Sequence, residues 1–187
     1  MPSYDEELQA LLGVPSFGPL ARATERVVEV LLKPSFHPEC ALRAEMGREG
    51  AHLSALTVRR SFWNHWNVSR GGRGPNPVLD RLEPAVAAEE WIVTGEPLLL
   101  LHSLLDPWRS FHDPASSAGL DGLVAEVWLR DREGAESRWN LWIGESIQGC
   151  GRLVAGALRV ALDQVQGEMI RANLAATARY FPKQCSE

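Results

Sequence analysis

The sequence predicts an α+β fold: an antiparallel sheet of about four strands, built from two β-hairpins and packed with helices that include a long C-terminal one. Three observations carry this expectation. Leu123 to Arg130 and Ala135 to Ile143 read as strands on either side of the turn Asp131-Arg132-Glu133-Gly134. Cys40 to Met46 alternates, with Leu42, Ala44 and Met46 pointing one way and Arg43 and Glu45 the other; the turn Gly47-Arg48-Glu49-Gly50 follows, then a return strand from Ala51 to about Phe62. Gly151 to Gln166 begins an amphipathic helix able to cover a hairpin face. A lone hairpin is marginal in water, whereas several joined strands under a helix are stable.

Taken in order, residues 1–35 read as a helical segment. Ser3-Tyr4-Asp5-Glu6 has the capping-box form, and a helix to about Leu12 is stopped by Gly13 and Pro15. A second helix is expected from Pro19 to Lys33, with Leu20, Ala23, Val27, Val30 and Leu31 on one stripe. Residues 40–63 form the first hairpin, and 69–77, rich in Arg, Gly and Pro, form a surface loop. Val78 to Trp91 holds a strand and then a short helical turn around Ala87 to Trp91. Pro97 sits at the start of an apolar helix, Leu98 to Asp106, which Pro107 stops.

Gly119-Leu120-Asp121-Gly122 is a turn opening the second unit, 119–166, a hairpin plus helix. The last helix continues toward Phe181 through Val165, Met169 and Leu174, and Gly167 marks a bend or break, since an interior glycine costs about 1 kcal/mol against alanine. Each hairpin has an Arg-Glu-Gly turn and follows an apolar segment, 20–32 or 97–106. A helix-hairpin duplication and two independent turn choices both account for that. A chain of 187 residues is expected to form one domain.

The net charge of -5 argues against a general nucleic-acid binder, which would carry a basic face. Three widely spaced cysteines form neither CxxC nor a zinc pattern, residues 1–20 lack signal-peptide blocks, and the longest apolar run, Leu98 to Leu101, is far short of a membrane span. A cytoplasmic protein with no cofactor and no membrane association is expected.

Three of the seven tryptophans lie on the second hairpin. Trp139 shares a face with Leu141 and Ile143, which suggests core. Trp142 shares the opposite face with Arg138 and Asn140, and Trp128 lies with Glu126 and Arg130. Tryptophan framed by charge is the composition of a protein-contact patch, so Trp128, Trp142, Glu126, Arg130, Arg138 and Asn140 are the candidate partner-binding residues. Asp121 joins them as a carboxylate at the hairpin mouth, although Asp-Gly is also simply a turn. Phe62-Trp63-Asn64-His65-Trp66, with Arg70 and Arg73, mixes aromatic and basic residues as single-strand binders do, against the overall acidity. For catalysis, His102 with Asp106, His112 beside Asp113, and Cys150 before a helix are candidates, but no G-x-S-x-G, H-E-x-x-H, P-loop or dinucleotide fingerprint surrounds them.

From Ser61 to Gln164 the chain carries Ser61-Phe62-Trp63, then Arg73-Gly74-Pro75-Asn76-Pro77, Glu89-Glu90-Trp91, Gly119 to Gly122, and Arg138-Trp139. In this order of features it resembles bacterial α+β proteins akin to the small immunity proteins that neutralise polymorphic or contact-delivered toxins. It departs from that pattern at Trp139-Asn140-Leu141-Trp142, where Trp-Ser-Pro is expected, and the first 40 residues lie outside it. The resemblance implies a non-catalytic protein that binds a toxin, possessing no catalytic residues to carry over. A basic toxin domain would suit the acidic charge. The alternatives are a component of an anti-phage or toxin complex, or a small enzyme or ligand-binding protein using Trp63, His65 and Asp121.

Overall fold

A computed structural model describes residues 3–16, 20, 23–63, 66, 85–111, 122–143 and 149–181. Its organising element is a strand, β1 (Arg26–Pro34), where the sequence suggests a helix. Val27, Val28, Val30, Leu31 and Leu32 are all buried because the strand is covered on both faces. Such a strand reads as a continuous apolar run, which periodicity alone cannot tell from a buried helix. The β-branched valines fit the pleated geometry and decide the outcome.

The hairpin β2 (Cys40–Met46) and β3 (Ala51–Val58) pairs with one side of β1, and the hairpin β5 (Leu123–Asp131) and β6 (Glu136–Ile143) with the other. β4 (Val86–Val93) adds outside β3. The sheet is therefore six-stranded and antiparallel, in the order β4-β3-β2-β1-β5-β6, rather than four-stranded. β4 includes the Ala87 to Trp91 stretch expected as a helical turn. Pairing along β3 overrides the helix preference of Ala and Glu there. Because β1 is not a helix, the two hairpins do not share a helix-hairpin repeat.

One face of the sheet is closed by α2 (Glu96–Leu105), α3 (Cys150–Gln164) and α4 (Glu168–Ala178), with α3 packed between the other two. The expected long C-terminal helix is thus two helices, parted at 165–167. The α4 start has no side-chain cap of its own; instead the Glu89 carboxylate on β4 accepts from the amides of Gln166 (2.7 Å) and Gly167 (2.8 Å). Farther along α4, the Asn173 Nδ2 donates to the buried Thr57 hydroxyl at 2.9 Å. Val28, Val30, Leu42, Leu53, Val127, Trp139 and Leu141 meet Leu101, Leu105, Leu153 and Leu158 in the main core.

Among the described residues, the helix that packs on the other face is α1 (Tyr4–Leu12), whose capping box forms as expected. Leu8, Leu12 and Val14 pack there on Leu31, Ala41, Val58 and Phe62. Nine helical residues span about 14 Å, while six strands spread over about 24 Å, so α1 covers only part of this face. Among the described residues, no helix is long and apolar enough to cross a membrane.

Candidate functional site

The strand registers place the part of the second face beyond α1 in two rows running from edge to edge. One row is Glu90, Ser54, Arg43, Glu29, Trp128 and Arg138; the next is Ile92, His52, Glu45, Val27, Arg130 and Glu136. In the row beneath them, Ala88, Leu56, Ala41, Leu31, Glu126 and Asn140, the central Leu56, Ala41 and Leu31 belong to the patch under α1.

Two buried carboxylates hold this face in shape. Glu29, 3% exposed, accepts the Ser16 amide on both oxygens at 3.0 Å and an Arg43 guanidinium N–H at 2.6 Å. Arg43 also donates to the Ser16 hydroxyl, so the chain after α1 is tied down onto the sheet. Burial raises the Glu29 carboxyl above its ordinary value, against the opposing bonds from Ser16 and Arg43 and the nearby charge of Arg130. Glu126, 1% exposed, accepts from Lys33 at 2.6 Å, Arg138 at 2.7 Å and Gln9 at 3.3 Å. Lys33 in turn reaches Asp5 at 2.8 Å, which joins α1 to the same network.

Between the Ser16 segment and the β5–β6 edge lies an open groove of about 310 Å³. Trp128, Val27, Glu29, Arg130, Glu136 and Arg138 line it. Trp128 is half-buried and carries the Arg138 guanidinium over its ring at 5.5 Å. The Arg138 side chain is nevertheless 60% exposed.

The structure thus gathers most of the residues that sequence reading selects, but in different roles. Trp128, Arg130 and Arg138 line the groove, and Asn140 is exposed beside it. Glu126 is no contact residue: it is buried with donors on both oxygens, and it positions Arg138. Trp142 lies on the same face but is folded over Gly122, where an added Cβ would come within 2.5 Å of the indole nitrogen. Asp121 lies outside the described residues, as do His65, Arg70, Arg73, His112 and Asp113.

The remaining candidates separate. His102 Nε2 faces the Gly47 carbonyl at 3.2 Å while Asp106 pairs with Arg26, so the two form no dyad. Cys150 is buried in the main core. Trp63, 47% exposed, stacks on Trp66 at 6.0 Å, and Tyr4 meets both rings edge-on. Among the described residues, no group of three His, Cys, Asp or Glu is arranged to hold a metal.

Glu29, Arg43, Ser16 and Lys33 are the site residues that sequence reading misses. Had residues 26–34 been taken as a strand, the alternation of Val27, Glu29, Leu31 and Lys33 would have aligned them with Trp128. Comparison with protein-family models, characterised proteins and solved structures finds no match to this chain.

Proposed function

We propose that the protein acts by binding another protein through the charged half of this sheet face, with Trp128 and Arg138 at the centre of the contact. One observation carries the reading: a half-buried tryptophan beside an exposed arginine that a buried carboxylate already holds in place. Trp and Arg are the residue types that most often dominate binding energy, and ordering them beforehand lowers the entropy cost of association.

The finer form of the proposal is an immunity protein of the cytosol that occludes a toxin surface without chemistry. Its support is the resemblance of residues 61–164 and the net charge of -5, which would speed encounter with a basic partner.

The test is affinity capture from the source organism with the wild-type protein and with Trp128→Ala in parallel, each checked for its fold by circular dichroism. Wild type is expected to recover a stoichiometric partner, and the variant to bind it about 30-fold more weakly, as for a hot-spot residue. Equal recovery by both proteins, or no partner with either, would contradict the proposal.

A further inference from the structure

The partner-binding reading leaves open what kind of segment the face accepts, and Arg138 with the outer edge of β6 narrows it. Of the five N–H donors of Arg138, the contact with Glu126 engages one nitrogen, Nη2. The stem is fixed by that bond and by the Trp128 ring, so the remaining donors are presented from a defined position. Guanidinium groups ordered in this way suit a planar carboxylate, which can accept two parallel N–H bonds.

β6 ends the strand order, so its outer backbone groups pair with no strand among the described residues. Its eight residues, Glu136–Ile143, include no proline, glycine or lysine, which are common means of keeping another strand off an edge.

We infer that β6 accepts an extended segment of a partner protein as an added antiparallel strand, and that Arg138 takes a carboxylate side chain on that segment. The inference rests on the protein-binding reading above and names the chemistry of the partner. On an added strand, the residue opposite Arg138 lies on the same face with its Cβ about 5 Å away, within reach of the guanidinium. The residue opposite Glu136 comes two positions later in an antiparallel segment and is best cationic. The segment therefore has the pattern Glu-x-Lys or Asp-x-Arg, where x faces the opposite side. A phosphate, at about -1.5 to -2 charge, suits the place less well than a monoanionic carboxylate, because Glu136, Glu29 and Glu126 stand close by in the registers. The net negative charge of the whole molecule acts on distant approach; Arg138 acts at contact.

The probes are short blocked peptides of alternating threonine and valine, fluorescently labelled, with a central Glu-x-Lys, Gln-x-Lys or Lys-x-Glu. Anisotropy is read on the full chain. The Glu-x-Lys peptide is expected to bind about tenfold more tightly than the glutamine version and more tightly still than the swapped one. Arg138→Glu is expected to abolish the advantage of the Glu-x-Lys peptide over the swapped one and to leave the glutamine version tightest, since it keeps the pairing of its lysine with Glu136 and meets no repulsion at 138; Arg138→Lys is expected to keep the original order with a smaller margin, because lysine lacks the fork.

Equal affinity for all three peptides, or binding by none, would overturn the inference. So would a dimer in sedimentation that Arg138→Glu abolishes, since the edge would then belong to a second copy. If the captured protein partner depends on Trp128 yet the peptides show no charge order, the strand-addition inference fails and the protein-binding reading stands. If no partner is captured, that reading fails by itself.

Discussion

Three buried glutamates do much of the organising at the scale of single residues. Glu39 accepts from the Tyr4 hydroxyl at 2.7 Å and from the amides of Phe62 and Trp63 at 2.7 and 2.9 Å, fastening the end of the first hairpin to α1. Burial first, and then the charge of Glu39, hold the Tyr4 phenol well above its usual range, so it remains a donor. Glu126 does the corresponding work under Arg138. At Glu29, burial raises the carboxyl above the ordinary 4.5. A carboxyl that holds its proton more firmly folded than unfolded contributes stability that is full below 4.5 and is lost as pH rises through the raised value. In Glu29→Gln that pH-dependent part should vanish. Urea midpoints across the range should show wild type losing ground to the variant as pH rises above 4.5. Midpoints that move in parallel would contradict the assignment.

At the scale of elements, the sheet's pairing outweighs local preference at β4, while at β1 an apolar run whose periodicity fits helix and strand alike becomes a strand. The two hairpins, α1 and α2 were legible because each has a local signal: alternation around a Gly-containing turn, a capping box, or proline in the first helical turn. β1 was not, because its signal comes from being covered on both faces by parts of the chain far away in sequence. β4 offers a consequence of its own. Glu89 is helix-favouring in isolation, yet its place on a strand lets it cap α4 from outside. Glu89→Ala should cost about 1 kcal/mol of stability, as loss of an N-cap does, read from the urea midpoint. A loss indistinguishable from zero would mean that the α4 amides find equal partners elsewhere.

For the molecule as a whole, the asymmetry of coverage is what matters. Among the described residues, three helices close one face of the sheet and a nine-residue helix packs on part of the other, beside two rows that carry charged side chains and a groove. The sequence located the β5–β6 side of this site, since alternation separates Trp139 from Trp128, Arg138 and Asn140. It did not reveal the β1–β2 side, because Glu29, Arg43 and Lys33 join the site only through the registers of a strand that resembled a helix. Nor did it show that Glu126 lies under the surface rather than on it, which depends on α1 bringing Gln9 against it and on Lys33 of β1.

The central claim is that recognition occurs on β5 and β6 beside Trp128. Amide hydrogen exchange of the full chain, free and in complex with the protein captured from its source, tests it most directly. The account predicts new protection concentrated in residues 123–131 and 136–143, strongest along β6. Protection confined to the aromatic cluster of Tyr4, Trp63 and Trp66, with β6 exchanging as in the free protein, would contradict it.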